Sequence, residues 1–361
     1  MRHAGAFKGP FSASDMVKGL KEKRHFVIFG GEGMERYGEE IVGKMMAFQQ
    51  SRIILTGAEL DVFTRLDEAA ATAGALSKDL GCDSRAMERL LDALTSLALL
   101  KKEGSLFSLS GRGILLSSRH PETILPTVLH FSELWQKWSG LTEVVRTGKP
   151  VEGAVGEKGE AHRRAFIGAM HAIGRNLATE ISRAFDAGRF RRLLDIGGGS
   201  GTYTIAFLRR NPRMTAVLFD LASVIPMAGE RLQEEGLSDR VTLVAGDFST
   251  DELPSGCDLA LLSAIIHQNS PAQNLDLFRK IFRALNAGGS VLIRDHIMDE
   301  SHTLPPGGAI FAVNMLVGTA GGDTYTFGEI KDGLEKAGFA GVRLVQPGDE
   351  MDGLIEAGKV R

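Results

Sequence analysis

The residues best placed to do chemistry begin with Asp195-Ile196-Gly197-Gly198-Gly199-Ser200-Gly201, preceded by Leu193-Leu194, and continue at Val217-Leu218-Phe219-Asp220. An apolar run that ends in an acid reads as a buried parallel strand. Glycines directly after it let backbone amides approach a ligand before a helix starts. Asp220 follows at about the distance, roughly 20 residues or a little more beyond the loop, where an open parallel sheet sets an acid against ribose hydroxyls. The chemistry implied is capture of a nucleoside, an adenosine in particular.

The glycine spacing narrows the ligand. A dinucleotide fingerprint requires Gly-x-Gly-x-x-Gly. Read from Gly197, the third glycine position is Thr202; read from Gly199, it is Thr204, so that register fails. What stands is acid-x-Gly-x-Gly-x-Gly, with Asp195 first. A carboxylate there would repel a pyrophosphate but could receive the ammonium of an amino-acid tail. The segment resembles the S-adenosylmethionine loop of Rossmann-like methyltransferases, and S-adenosylmethionine is the cofactor expected. Gly197, Gly199 and Gly201 should surround its methionine part with Asp195 nearby, Asp220 and the adjoining Leu221 should meet its ribose, and Asp247 with Phe248 should bracket adenine. The alternative makes Asp247 a helix cap and Phe248 core.

A proton acceptor follows in Ile265-Ile266-His267-Gln268-Asn269. His267 is expected to terminate the fourth strand of this half, and ligands of open parallel sheets lie beyond the carboxyl ends of strands. Asp295 falls near the end of the fifth strand, on one face with Val291 and Ile293. Neighbouring strands lie about 4.8 Å apart, so Asp295 can receive the imidazole N–H and fix its tautomer. The competing possibility is a strand cap and a surface ion pair.

The elements that position these groups alternate. Strands are expected at Arg192 to Ile196, Ala216 to Asp220, Val241 to Ala245, Leu259 to Ile266 and Ser290 to Ile297, with helices between, which implies right-handed crossovers and a parallel sheet. A helix from Phe327 to Ala337 leads into Val342-Arg343-Leu344-Val345. Pro347-Gly348-Asp349 then gives too short a connection to Leu354-Ile355-Glu356-Ala357 for a crossover, so the last strands must pair antiparallel. The fold class expected is an α/β Rossmann-like domain with a mostly parallel seven-stranded sheet. A nicotinamide-binding domain would not end this way.

The N-terminal half is mostly α. From Ile53 to Leu109 come a helix, a short helix, a longer helix from Ser84 to Leu99 and a hairpin turning at Gly104, a winged-helix outline. DNA-binding versions display basic residues on the long helix, whereas here Arg85 and Arg89 are offset by Glu88 and Asp92. Met87, Leu90, Leu91, Leu94 and Leu97 recur at helical spacing, as core and dimer packing would require. The 361 residues suit two domains, and the net charge of -3 argues against a nucleic-acid partner. No apolar run reaches the ~18 residues of a membrane span. Cys82 and Cys257 have neither metal-ligand spacing nor partners for a disulfide framework, so no metal and a cytoplasmic location are expected. The divisions read are an extension over 1–40, a winged-helix-like dimerisation domain over 41–115, a helical linker contributing to the substrate pocket over 116–185 and the cofactor-binding domain over 186–361. Within the extension, His25-Phe26-Val27-Ile28-Phe29-Gly30-Gly31-Glu32-Gly33 mimics a strand and glycine turn.

Four features in order carry a wider resemblance: the winged-helix-like segment, a linker with Trp135-Gln136-Lys137-Trp138 and Thr147-Gly148-Lys149-Pro150, the glycine loop, and Ile265 to Asn269. Together they are similar to the S-adenosylmethionine-dependent O-methyltransferases that include plant caffeate and bacterial polyketide enzymes. The resemblance implies a homodimer, a small hydroxylated acceptor, and His267 as general base with Asp295 standing where the family has a Glu. It also implies that Met170 lines the acceptor; the segment Asn314-Met315 is a similar lining segment and His171 a second polar contact, with ordinary core or surface packing the alternative for each. Ser263 stands where plant members carry a Lys near adenine, Asn269 replaces their Trp, and Thr324 falls where they have a second catalytic Glu. The reaction implied is in-line attack of an acceptor oxygen on a sulfonium methyl. Alignment can supply up to ~7 to 11 kcal/mol, and a base adds roughly 10²- to 10⁴-fold. Proton transfer from a phenol of pKa ~10 to an ordinary imidazole of pKa ~6.5 is uphill by about 4 to 5 kcal/mol, which favours a phenol, enol or hydroxyquinone over a saturated alcohol. Non-methylating chemistry on the same cofactor, such as decarboxylation or hydroxylation, and transfer to nitrogen, carbon or sulfur are the alternatives.

Overall fold

The computed structural model describes residues 31–151 and 159–360, in two compact units that divide after Ile114. His25 to Gly30 of the expected extension lie outside the described residues. Gly31-Glu32-Gly33, expected as a turn, instead open the long helix α1 (Gly31–Glu59). Each glycine costs a helix roughly 1 kcal/mol, which the run of good helix formers after them, Glu39 to Gln50, outweighs.

In the first unit, α1 is followed by α2 (Val62–Glu68), β1 (Ala71–Thr72), α3 (Ala73–Asp79), α4 (Ser84–Ser96), β2 (Leu100–Glu103) and β3 (Leu106–Leu109). Asp83 caps α4 by accepting the Ala86 N–H, so the helix starts where the sequence signals it. Met87, Leu91 and Leu94 are its buried face. Gly104, at φ 60, closes the β2–β3 hairpin, and β1 pairs antiparallel with the other side of β3. The charges of the long helix are paired locally: Arg89 with Glu88 and Asp92, and Lys102 with Asp92.

The second unit opens with α5 (Leu125–Trp138), α6 (Leu141–Thr147) and α7 (Glu160–Ala184). Then β4 (Arg192–Ile196), α8 (Thr202–Arg210), β5 (Thr215–Asp220), α9 (Ile225–Glu234), β6 (Val241–Ala245), β7 (Cys257–Ser263), α10 (Pro271–Ala284) and β8 (Leu285–Asp295) alternate as expected. The short β9 (Ile297–Met298) and β10 (Tyr325–Thr326) flank α11 (Pro306–Gly318), and α12 (Phe327–Lys336), β11 (Ala340–Gln346) and β12 (Gly353–Gly358) complete the unit. The sheet order is β11-β12-β8-β7-β4-β5-β6, parallel from β8 to β6, with β12 antiparallel to both its neighbours.

Both sheet faces are buried, which is why its strands read as continuous apolar runs. On one face Leu194, Ile196, Phe219, Leu262 and Ile293 meet Leu277, Phe278 and Ile281 of α10 and Ile330 and Leu334 of α12. On the other, Leu193, Ala216, Leu259, Leu261 and Leu292 meet Ile181 of α7 and Ile205 and Leu208 of α8. No described helix is long and apolar enough to cross a membrane. Some boundaries differ from expectation: β8 runs Leu285–Asp295 instead of Ser290 to Ile297, and α4 ends at Ser96 instead of Leu99. β7 ends at Ser263 because Ala264 takes a left-handed conformation (φ 58), and Ile265 and Ile266 fold back into the core, Ile266 opening a 3-10 turn, instead of extending the strand.

Leu261, wholly buried at the middle of the sheet, should be costly to truncate. Leu261→Ala is expected to lower unfolding free energy by about 2 to 5 kcal/mol, measured as a lower urea midpoint at unchanged slope.

Candidate active site

The loop after β4 is built on backbone conformations that only glycine adopts freely. Gly197, Gly199 and Gly201 have φ of 68, 58 and 81. A Cβ at Gly197 would stand 2.5 Å from Ile265 Cδ1, and one at Gly198 would stand 2.8 Å from Leu218 Cγ. The loop is therefore a glycine cradle: it packs down onto Ile265 and Leu218 and leaves bare, partly exposed backbone at the sheet edge. Gly201 precedes the first turn of α8, whose dipole adds a mildly positive rim.

Asp220 ends β5 and ties the loop down: its Oδ2 accepts the Gly199 N–H at 2.7 Å and its Oδ1 the Leu221 N–H at 2.7 Å. Burial pushes the Asp220 carboxyl up, against the pull of those two amides. Each oxygen retains a lone pair for a further donor. Leu221 is exposed beside it. Phe248, after β6, lies over the loop, its Cε1 3.7 Å from a Cβ placed at Gly197. Asp247 accepts the Ser249 N–H at 2.8 Å, so its carboxylate shapes the same turn. It is a loop brace, close to the cap foreseen as the alternative.

Asp195 needs correction. It was expected to receive an ammonium group, but its side chain is only 1% exposed and turned beneath the glycines, where Oδ2 accepts the Thr204 hydroxyl at 2.6 Å. Burial pushes its carboxyl up to about 6, opposed by the Thr204 hydrogen bond. A carboxylate on the interior face of β4 has nowhere else to point, because side chains alternate along a strand and Asp195 shares the α8 face with Leu193. Ser263 is likewise engaged, accepting from Arg294 Nε at 3.0 Å, on the face where the Arg294 guanidinium lies 5.0 Å over the Tyr203 ring.

His267 does not end a strand but sits in the 3-10 turn Ile266–Gln268. Its Nδ1 lies 2.9 and 3.0 Å from the two carboxylate oxygens of Asp295, the last residue of β8. Asp295 is 1% exposed and His267 12%. Burial alone would push Asp295 up; the His267 charge and hydrogen bond, the Arg294 charge and the His296 N–H outweigh it and hold the carboxyl below its ordinary value. An acceptor-only carboxylate on Nδ1 puts the proton there and leaves Nε2 with a free lone pair. The Phe311 ring of α11 stands edge-on to the imidazole at 4.9 Å. Thr324 does not meet the imidazole: its hydroxyl donates to the Gly308 carbonyl at 3.4 Å, while the neighbouring Asp323 N–H holds the His267 carbonyl at 2.9 Å. Ile265, two residues before His267, is the side chain pressed against Gly197, which brings imidazole and glycine loop to one edge of the sheet.

Of the acceptor-lining residues, Asn314 accepts the Trp138 indole N–H at 2.9 Å, joining α11 to α5. Met170 is 37% exposed on α7, next to the face on which Ile167 approaches Gly199 and Gly174 approaches Tyr203. Met315, by contrast, is buried in the packing of α11. His171 is also corrected. Its Nδ1 is 2.9 Å from the Thr202 hydroxyl and its Nε2 3.1 Å from Arg231 Nη1, so both nitrogens are engaged within the protein. Arg231 can only donate, which makes Nε2 the acceptor and Nδ1–H the donor. Phe311, Trp138, Arg294 and the buried His296 were not identified from the sequence. Trp138 lay in a quoted motif without a partner to give it a role, and the others belong to apolar runs that signal only core.

A mostly parallel seven-stranded sheet ending in an antiparallel pair, with a glycine cradle and a braced acid on adjacent strands, defines a Rossmann-like methyltransferase. Residues 138–340 match the model of the O-methyltransferase domain and residues 44–115 that of the O-methyltransferase dimerisation domain. The chain belongs to the O-methyltransferase family of transferases. It is 31% identical over 315 residues, 84% of this chain and 92% of the relative, to the tetracenomycin polyketide synthesis 8-O-methyl transferase of Streptomyces glaucescens. It is 31% identical over 310 residues, 82% and 88% of the two chains, to a 3-hydroxy-5-methyl-1-naphthoate 3-O-methyltransferase of Streptomyces sahachiroi. The solved structure of PigF with SAH superposes with a TM-score of 0.81 at 26% identity, covering 89% of this chain and 99% of that one.

The His171 bridge has a pH signature. Burial first, then the charges of Arg231 and Arg175, push its pKa down to about 4. Below the unfolded value near 6.5 the unfolded chain takes up a proton that the folded chain refuses until about pH 4, so stability is complete above 6.5 and falls as pH drops through that window. The slope from one full proton is about 1.4 kcal/mol per pH unit, and less for this half-buried ring. Denaturant titrations from pH 7.5 to 4 should show a shallower acid slope in His171→Gln than in wild type.

Proposed function

We propose that the protein moves the methyl group of S-adenosylmethionine to a hydroxyl of a small aromatic, enolic or quinone-type acceptor, with His267 as general base. The observation that carries the base assignment is the His267–Asp295 contact at 2.9 Å beside the glycine cradle. The cofactor would meet bare backbone there, since Gly197 and Gly199 hold left-handed φ and stay partly exposed at the carboxyl edge of the sheet. Gly197, Gly199 and Gly201 would hold its methionine part, Asp220 and Leu221 its ribose, and Phe248 its adenine, with Asp247 bracing that wall. When bound, it supplies a methyl group already activated on a sulfonium. The protein's own work is alignment and proton removal.

In this reading Asp295 holds the imidazole by Nδ1, and Nε2 takes the acceptor's hydroxyl proton as the oxygen attacks. The positive charge that forms on the ring is compensated by the buried carboxylate. Phe311 limits the ring's rotation from one side, and Asp295 is the sole acid holding it among the described residues. Asn314, whose oxygen is taken by Trp138, keeps its amide N–H groups for an acceptor oxygen, and Met170 offers adaptable apolar surface. The relatives named for naphthoate and polyketide substrates favour an acidic aromatic hydroxyl, in keeping with the proton energetics. Chemistry without methyl transfer, or transfer to nitrogen, carbon or sulfur, is not favoured by these relatives.

The dimerisation-domain match supports a homodimer formed through residues 41–115, with 116–185 as a linker that helps to enclose the acceptor, and 1–40 as an extension. Two free cysteines are in keeping with a cytoplasmic enzyme.

His267→Ala should lower kcat by 10²-fold or more while calorimetry finds unchanged affinity for S-adenosylhomocysteine. Asp295→Asn, which loses the carboxylate but keeps the shape, should lower kcat at unchanged affinity for S-adenosylhomocysteine. Full activity of either variant on a panel of hydroxylated naphthoates and quinones would remove the base from this scheme.

A further inference from the structure

Lys280 lies on α10 and reaches across to the segment that follows β6. In the structure its Nζ is 2.9 Å from the carbonyl oxygen of Phe248, 3.0 Å from that of Ser249 and 2.9 Å from that of Asp251. Three acceptors match the three protons of an ammonium. Carbonyls so close in sequence do not converge on one point in a helix or strand; a cation at their centre offsets the mutual repulsion of their dipoles. The segment they belong to is fixed at its other end by the Gly246 N–H, which donates to the Asp220 carbonyl at 2.9 Å. Between the two anchors, Asp251 Oδ2 accepts the Asp247 N–H at 2.8 Å, and the Asp247 carbonyl accepts the Asp251 N–H at 2.7 Å. The only large side chain the segment presents to the glycine cradle is Phe248.

We infer that Lys280 is a positioning residue for the nucleoside end of the cofactor, acting through residues 246–251; the inference rests on the reading of Phe248 as the adenine wall. Without the ammonium, the Phe248 and Ser249 peptide units have no internal partner for their oxygens and turn out to water. Rotation of the Phe248 peptide carries its ring away from Gly197. The loss falls on binding of the nucleoside and not on proton removal, because neither His267 nor Asp295 touches this segment.

The test uses Lys280→Met, which keeps the length of the side chain and removes its charge, and Lys280→Arg, which keeps both charge and donors. Calorimetry with S-adenosylhomocysteine and with adenosine should show both dissociation constants raised by a similar factor, about tenfold or more, in Lys280→Met. The arginine variant should stay within about threefold of wild type. The KM for S-adenosylmethionine should rise in parallel, with kcat at saturation and the KM for the acceptor nearly unchanged. Unaltered nucleoside affinity in Lys280→Met, or a fall in kcat alone, overturns the inference. Should Lys280→Met not fold, Lys280→Gln replaces it, with amide hydrogen exchange at residues 247–251 as readout: faster exchange there than in wild type supports the role, and equal exchange overturns it. Absence of nucleoside binding by the wild-type protein would instead overturn the cofactor reading, and is seen before any variant is made.

Discussion

Burial of the parallel strands on both faces leaves polar chemistry one place to go, the carboxyl edge of the sheet. Leu193, Leu194, Leu261, Leu262, Leu292 and Ile293 are all but inaccessible, so a polar group among them would need an internal partner. At the edge that constraint relaxes in steps. Asp195 and Asp295, 1% exposed, each find a side-chain donor as well as a backbone one, the Thr204 hydroxyl for the first and the His267 imidazole beside the His296 N–H for the second. Asp220, a little further out, takes two backbone amides. The three acids differ in function because they differ in depth and partner, although each ends or nearly ends a parallel strand.

The glycine loop converts this edge into a site. Three left-handed glycines carry the chain from β4 into α8 without placing a side chain over the strand tips. The loop packs on side chains borrowed from elsewhere: Ile265 from the turn after β7, Leu218 from β5 beneath Gly198, and Phe248 from the segment after β6. The same segment after β6 is braced by Asp247, Asp251 and the α10 ammonium, so a wall made by a loop acquires the fixity of a helix. His171 serves α7 in a comparable way, bridging Thr202 at the start of α8 to Arg231 of α9. Polar side chains around this site act more often on the backbone that shapes it than on the space it encloses.

The turn that carries His267 shows how a small departure in backbone determines chemistry. Had β7 continued through Ile266, the imidazole would follow the alternation of the strand. The left-handed Ala264 and the 3-10 turn swing it toward β8 instead, where Asp295 holds its Nδ1. Phe311 stands edge-on to the same ring, and among the described residues no second carboxylate holds it. A ring held by one acid and one aromatic edge is oriented but not doubly buttressed. That arrangement suits an acceptor whose hydroxyl already has some acidity.

The amino-acid sequence by itself determined the alternation of strand and helix, the antiparallel finish, the glycine loop, the acid at Asp220 and the candidacy of His267 and Asp295 as base and acid. All of these follow from local signals: apolar runs of strand length, glycines where φ must be positive, and an acid or base at the end of a run. Side-chain direction at the ends of those runs was beyond it. Whether Asp195 faces a ligand or Thr204, whether His171 is free or bridged, and whether Lys280 is solvated or gathers three carbonyls depend on which element lies across from each. Those neighbours are 9, 31 to 60 and about 30 residues away in the chain. No local pattern encodes such distances, because a polar side chain takes its partner from the packing of helices against the sheet, and that packing is a property of the whole folded unit.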